Sequence, residues 1–218
     1  GDTPDPSVIG QNYAVTFSVS VTAPGSATPT APNGNVTVSD GTNTCTATVA
    51  IGTCNLPSAS PGSKNLTASY PGDANFNGSI SAVALHTVTK ANTTTTITSD
   101  MPDPSNVGQA VTVNFTVAAV APGAGTATGN VTITAAGGAE TCTGTVAAGT
   151  CMITLTAGGA RNLTANYVGD ASFNGSTSVV EPHNVIIPQV VTLAFNGATS
   201  SANENLGIGN VLRVTTDN

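Results

Sequence analysis

One ten-residue segment occurs twice in this chain, and that repetition constrains the fold more than any other feature. Residues 70–79 read YPGDANFNGS, and residues 167–176, which lie 97 positions further on, read YVGDASFNGS. The similarity extends to other positions: Cys45 and Cys54 recur as Cys142 and Cys151, and His86 recurs as His183. Self-similarity at a fixed period indicates a repeated structural unit. We therefore expect two domains of about 95 residues each.

The composition favours strands and turns over helices. Only 7% of the residues are charged, against about 25% in an ordinary soluble protein, and residues typical of strands and turns are abundant. Apolar residues alternate with small or polar ones at Tyr13, Val15, Phe17, Val19 and Val21, which is the period of a half-buried strand. About six or seven short strands per repeat, separated by turns, are typical of an immunoglobulin-like sandwich. The sequence therefore predicts an all-β protein with two tandem immunoglobulin-like β-sandwiches and a C-terminal β-strand tail.

The predicted boundaries are residues 1–89 for the first domain, 90–187 for the second and 188–218 for the tail. Residues 91–98, ANTTTTIT, form a natural first strand for the second domain. The first domain has no counterpart, so we expect it to lack its first strand and to expose an unpaired sheet edge, which proteins normally cover. The tail is too short to build a core alone. Its predicted strand consists of Val190, Val191, Thr192, Leu193, Ala194 and Phe195.

The four cysteines form two copies of a C-x8-C pattern. Zinc sites use C-x2-C or Cys/His clusters, and this spacing fits neither. The residues between the cysteines read as strand, turn and strand, so we expect Cys45 to pair with Cys54, and Cys142 with Cys151, across hairpins. Each disulfide would contribute roughly 2–3 kcal/mol and would persist in an oxidising compartment. No apolar run approaches the roughly 18 residues of a membrane span, so we expect none. The oxidising compartment that the disulfides require leads us to expect an extracellular or cell-surface location.

Several segments together carry a resemblance to a known family. Residues 93–98 read TTTTIT, Gly108 and Gln109 precede an alternating strand, residues 129–132 read GNVT, and residues 162–178 read NLTANYVGDASFNGSTS. This pattern resembles the bacterial Ig-like repeats of large secreted and surface-anchored proteins. The resemblance implies spacer, stalk or adhesin roles and no catalytic residues. In the tail, residues 201–207 resemble the opening of a Calx-beta sandwich.

The repeated segment also matches the start of a calcium loop. Residues 73–78 follow the pattern D-x-N-x-N-G, but the twelfth position is Ala84 instead of the acid that calcium requires. The second copy has Ser172 at the third position. We therefore interpret Asp73 and Asp170 as turn-forming residues whose carboxylates bind the loop backbone.

No other sequence motif indicates a catalytic or ligand-binding site. His86 and His183 have no recurring Ser, Cys or acid near them in sequence, so we expect structural or surface histidines. No nucleophile–base pair or acid pair recurs or clusters, so we predict no catalytic residue, no cofactor, no metal and no enzyme activity. The net charge of −7 disfavours a nucleic-acid partner. The absence of Trp disfavours a carbohydrate-binding module, the third function class that we considered.

The N-x-S/T pattern of glycosylation acceptors occurs at eight positions. These candidates are Asn35, Asn65, Asn77, Asn92, Asn114, Asn130, Asn162 and Asn174. Composition alone predicts about five such patterns, so the excess is small.

Two functions remain open at this stage. The first is a structural stalk or spacer of a surface adhesin, with adjacent Ig-like domains as its partners. The alternative is a pilus-like filament subunit, in which the strand at residues 190–195 fills the incomplete first domain of a neighbouring copy.

Overall fold

The computed structural model describes residues 1–28 and 30–189, of which residues 1–188 form one compact unit. The predicted donor strand at residues 190–195 and the Calx-beta-like segment lie outside the described residues. The described part is built from strands and turns, and it contains no helix that could cross a membrane. The all-β class predicted from the sequence is confirmed.

The described residues of the first repeat form nine strands. They are β1 (Asp2–Thr3), β2 (Ser7–Val8), β3 (Asn12–Thr16), β4 (Asn35–Ser39), β5 (Thr44–Thr48), β6 (Thr53–Pro57), β7 (Gly62–Gly72), β8 (Asn77–Ile80) and β9 (Ala84–Thr89). One sheet has the order β1-β3-β6, and the opposing sheet has the order β2-β9-β7-β4-β5, with β8 paired to β7. The two layers form a sandwich, because each buries one face of alternating side chains against the other.

The second repeat has ten strands in the same order. They are β10 (Thr93–Met101), β11 (Ser105–Asn106), β12 (Ala110–Ala119), β13 (Asn130–Ala135), β14 (Thr141–Thr145), β15 (Thr150–Thr154), β16 (Gly159–Ala160), β17 (Leu163–Gly169), β18 (Asn174–Thr177) and β19 (Asn184–Ile186). The sheet β10-β12-β15 faces the sheet β14-β13-β17-β18, and β11-β19-β16 forms a third small sheet. β16 and β17 together correspond to the long strand β7.

Period-two alternation along the strands builds both cores. The core of the first repeat consists of Tyr13, Val15, Val36, Val38, Leu56, Leu66 and Tyr70. The core of the second repeat is larger and includes Phe115, Ile133, Ile153, Leu163 and Tyr167, all nearly inaccessible to solvent.

Both cysteine pairs form disulfides, but they do not cross hairpins. Cys45 lies on β5 and Cys54 on β6, which belong to opposite sheets, and the same holds for Cys142 and Cys151. The expected hairpin geometry was wrong because β5 pairs with β4, and β6 pairs with β3, so the turn between the cysteines carries the chain from one sheet to the other. Each disulfide therefore links the two layers of its sandwich.

In the first repeat, the described residues supply only a two-residue counterpart, β1, of the strand that opens the second. β10 pairs with β12 along its length, whereas β1 pairs with β3 through Asp2 and Thr3 alone. β3 ends at Thr16, although the alternation of residues 17–21 predicts a longer strand. Their counterparts continue β12 to Ala119 because β10 pairs with them.

Removal of one inter-sheet disulfide tests this architecture. We expect the double substitution Cys142→Ala and Cys151→Ala to lower the free energy of unfolding by about 2–3 kcal/mol, since it removes a constraint on the unfolded chain. Urea unfolding monitored by circular dichroism measures the difference. Reduction of the unsubstituted protein should destabilise it further, because it opens both disulfides. Equal stability of the oxidised and reduced forms would contradict a structural role for these bonds.

Candidate functional site

The repeated segment that dominates the sequence forms a carboxylate-centred loop. In the second repeat, one oxygen of Asp170 accepts hydrogen bonds from the amides of Ser172 and Phe173, both at 2.8 Å. The other oxygen accepts from the amide and the hydroxyl of Thr128, also at 2.8 Å. Asp170 therefore joins the β17–β18 connection to the segment that precedes β13.

Asp73 plays the same part in the first repeat. Its carboxylate accepts from the amides of Asn75 at 2.7 Å, Phe76 at 2.9 Å and Asn33 at 3.0 Å. The Tyr70 hydroxyl adds a fourth donor at 2.8 Å. The turn-forming interpretation thus describes both loops, and the donors that surround these oxygens create an environment suited to a carboxylate rather than to a bound cation.

The same hydrogen bonds shift the pKa of the Asp170 carboxyl. Burial opposes the charge on Asp170, but the hydrogen bonds from Thr128, Ser172 and Phe173 outweigh it and hold the pKa of this carboxyl well below its usual range. Burial, with the Asp170 charge adding to it, raises the pKa of Tyr167 to about 12.

A hydrogen-bonded Ser–His–Asp chain recurs in both repeats. In the first, His86 Nε2 lies 2.7 Å from Ser7 Oγ, and His86 Nδ1 lies 2.6 Å from Asp2 Oδ2. In the second, His183 Nε2 lies 2.9 Å from Ser105 Oγ, and His183 Nδ1 lies 2.7 Å from Asp100 Oδ2. The expectation that no nucleophile–base pair recurs was wrong, because the fold brings together residues about 80 positions apart.

The order of the hydrogen bonds is that of a hydrolase triad, but the residues are buried as in a structural network. Ser7 and His86 are fully buried, and Ser105 and His183 are almost fully buried, so neither hydroxyl is exposed to solvent. His86 lies on β9 and His183 lies immediately before β19, so each histidine ties the end of its repeat to the strands at its beginning. The recurring motif D-x-P-D-P-S, at residues 2–7 and 100–105, is the sequence signal that identifies the partners.

Each histidine also has a second carboxylate nearby. Asp5 Oδ1 lies 3.5 Å from His86 Nδ1, and Asp103 Oδ1 lies 3.6 Å from His183 Nδ1. The three ligand-type groups in each set are close enough to hold a metal ion. The short contact from Nδ1 to Asp2 or Asp100 is a hydrogen bond, which accounts for the geometry without an ion.

An open groove runs along the first repeat where β10 lies in the second. We use this name for the cleft lined by Phe17, Val19, Leu66, Ala68, Tyr70 and Ser79. Phe17 and Ala68 are half-buried, whereas their counterparts Phe115 and Ala165 are buried. The open groove is thus an apolar face that the described residues of the first repeat leave uncovered.

The predicted glycosylation acceptors lie mostly at the surface. Seven of the eight are exposed, and Asn114 is half-buried, with its amide donating to Ser99 at 2.8 Å. The amide of Asn174 donates to Asn92 at 2.9 Å. Glycosylation at these positions stays a prediction.

Comparison with known proteins agrees with the class that the fold defines, a tandem array of all-β sandwiches. A family model of bacterial Ig-like domains (group 3) matches residues 2–89 and again residues 92–186. The chain therefore belongs to the bacterial Ig-like domain family, as the sequence resemblance indicated. A comparison with curated proteins gives no significant match.

Among solved structures, the chain is similar to the fibronectin(III)-like modules of Clostridium thermocellum CbhA. The two share 14% sequence identity over 85% of this chain and 91% of that chain, with a TM-score of 0.33. A likeness this distant carries no argument about function.

The carboxylate-centred loop should make stability depend on pH. Because the folded-state pKa of Asp170 lies below its unfolded value of about 3.9, its contribution is complete above that pH and is lost as the pH falls through the folded-state value. We expect Asp170→Asn to destabilise the protein by about 2–3 kcal/mol at pH 7. Denaturant unfolding at pH 7 and pH 2 measures the difference, which should shrink at the lower pH. An equal difference at both values would exclude the carboxylate as its cause.

Proposed function

We propose that this chain is a rigid, non-catalytic spacer of an extracellular protein, such as the stalk of a surface adhesin. The observation that carries the proposal is the junction between the two repeats, which is a packed interface with backbone hydrogen bonds. Only residues 90–92 separate β9 from β10, so the junction has no length for a flexible linker.

Backbone hydrogen bonds fix the junction at two places. Ala91 is fully buried, its amide donates to Ser172 at 3.0 Å, and its carbonyl accepts from Asn174 at 2.8 Å. The amide of Ala124 donates to the carbonyl of Ile9 at 3.0 Å. The second repeat thereby holds both the connection and a loop of the first repeat.

Apolar packing continues across the same boundary. Ile9 and Val88 belong to the first repeat, yet both are buried in the cluster that forms the core of the second. Phe173, from the carboxylate-centred loop, belongs to that cluster too. Bending at the junction would expose this surface to water, so the two repeats should move as one body.

The disulfides support the extracellular part of the proposal. Bonds of this kind persist in oxidising compartments, and within residues 1–28 and 30–189 every cysteine is paired. Links between the layers resist their separation, which suits a domain exposed to proteases and to force.

A substitution at Gly10 tests the rigidity of the junction. Gly10 has a φ of +82°, and a Cβ atom there would overlap the backbone of Ala124, its carbonyl oxygen above all. We expect Gly10→Ala to separate the repeats. Small-angle X-ray scattering should then show a broader distribution of maximum dimensions than the unsubstituted protein shows.

Gly108 offers a matched control at the equivalent position of the second repeat. Its φ is +81°, and none of the described residues lies within 4 Å of the position that a Cβ atom would take there. Gly108→Ala should therefore carry only the backbone strain, about 1–2 kcal/mol, and leave the scattering unchanged. A broad distribution for the unsubstituted protein would contradict the rigid spacer.

The open groove favours a second candidate, the subunit of an extracellular filament. A sheet edge with an uncovered apolar face is a template for strand addition. A head-to-tail contact between copies that does not close on itself produces a fibre. In this candidate the junction between the repeats is rigid as well, and separate copies of the chain associate with one another.

A further inference from the structure

The dipeptide Asn-Gly occurs three times in the described part of the chain, at residues 33–34, 77–78 and 174–175. At such a dipeptide the glycine nitrogen can attack the side-chain amide carbon of the asparagine, because glycine has no Cβ atom to hinder the approach. The reaction needs no cofactor, but the backbone must rotate to bring the two atoms together. The surroundings of each dipeptide therefore decide whether it reacts.

Two of the three dipeptides are fixed in paired strands. Asn77 begins β8, which pairs with β7, and Asn174 begins β18, which pairs with β17. Gly78 and Gly175 lie so close to the backbone of those neighbouring strands that a Cβ atom would overlap it. The Asn174 side chain is held as well, since its amide group donates to Asn92 at 2.9 Å. Rotation at either dipeptide therefore requires the strands to open.

The dipeptide at residues 33–34 has different surroundings. Asn33 and Gly34 are both exposed, and they lie immediately before β4. Gly34 has a φ of +91°, and none of the described residues lies within 4 Å of the position that a Cβ atom would take there. Ring closure at this dipeptide therefore meets no packed neighbour.

Tyr70 activates the peptide bond between Asn33 and Gly34. Its hydroxyl donates a hydrogen bond to the carbonyl oxygen of Asn33 at 2.8 Å. When the Gly34 amide loses its proton, much of the negative charge lies on this oxygen, so the hydrogen bond favours the deprotonated form. That form is the nucleophile, and the contact therefore promotes attack by the Gly34 nitrogen.

We propose that Asn33 is a site of self-modification, at which the exposed Asn33-Gly34 dipeptide converts to aspartate and isoaspartate. The Gly34 nitrogen attacks Cγ of Asn33, so that the N–Cγ bond forms and the Cγ–Nδ2 bond breaks. Ammonia leaves with the proton that the Gly34 amide gives up, and the product is a cyclic succinimide. Water then opens the ring at either carbonyl carbon, which gives aspartate or isoaspartate at this position.

Either product weakens the carboxylate-centred loop of the first repeat. The new carboxylate lies close to that of Asp73, which accepts the Asn33 amide at 3.0 Å, and the two like charges repel. In isoaspartate, the carbonyl that accepts from Tyr70 is no longer part of the main chain. The second repeat has Thr128 and Gly129 at the equivalent positions, and threonine has no amide to lose. The change is therefore confined to the loop of the first repeat.

A time course on the folded, unglycosylated protein tests the site. Incubation at mildly alkaline pH, followed by mass spectrometry of peptides, gives the rate of modification at each dipeptide. We expect Asn33 to react at least about ten-fold faster than Asn77 and Asn174, because the strands must open before those two react. In denaturant, with the disulfides reduced, the three rates should become similar. Equal rates in the folded protein, or an unmodified Asn33, would overturn the proposal.

An exchange of residues between the repeats provides matched variants. Asn33→Thr gives the first repeat the residue of the second and should abolish the reaction there. Thr128→Asn does the reverse and should make the second repeat react before Gly129, which has a φ of +90° and no described neighbour closer than 4.0 Å to its Cβ position. A Thr128→Asn protein that stays unmodified while Asn33 reacts in the first repeat would overturn the role assigned to the loop.

The modification should also lower the stability of the protein. After incubation, the unsubstituted protein should unfold at a lower urea concentration than fresh protein, because a second carboxylate opposes the loop. The Asn33→Thr protein should keep its stability over the same period. Unchanged stability after complete modification would contradict the effect on the loop. The scattering test of the junction does not depend on any of these results, so the spacer and the modification site can fail separately.

Discussion

The main-chain polar groups of a sheet edge need partners, and this requirement governs the arrangement of the molecule. The second repeat meets it with β10, which pairs with β12 and covers the core beneath. The first repeat has two residues of the same strand, and its edge beyond Thr16 lies open. Since the repeats share their remaining architecture, the second serves as an internal reference for the first. Phe17 and Ala68 are more exposed than their counterparts because no described residue of the first repeat occupies the place of β10.

The segment that forms the junction between the repeats also forms the edge strand of the second sandwich. The chain leaves the first repeat at β9, passes through buried Ala91 and becomes β10 within a few residues. The short connection between the repeats also delivers the strand that closes the second sandwich. The second sandwich thus depends on the connection that precedes it. In the spacer, the strand that closes a sandwich comes from the same chain. In the filament candidate, it comes from another copy of the chain.

Periodicity in the sequence predicted the sandwiches and the cysteine partners, because strands and repeats leave local patterns. It could not assign Cys54 to the opposite sheet from Cys45, since alternation shows which face a residue occupies and not which sheet its strand joins. The Ser7–His86–Asp2 chain was missed for a related reason, because its members meet only through long-range pairing of the first and last strands. The role of Asp170 was predictable, since its partners Ser172 and Phe173 lie within the same turn.

Amide hydrogen exchange at the edge of the first repeat tests the central claim most directly. Phe17 donates its amide to Gly52 on one side, so strand alternation would direct the amides of Ser18 and Ser20 to the opposite side, toward the open groove. If the groove accepts a strand from a second copy, these two amides become protected as the protein concentration rises and exchange rapidly on dilution. Their counterparts Thr116 and Ala118, which face β10, should be protected at every concentration. Rapid exchange of Ser18 and Ser20 at all concentrations would contradict the account.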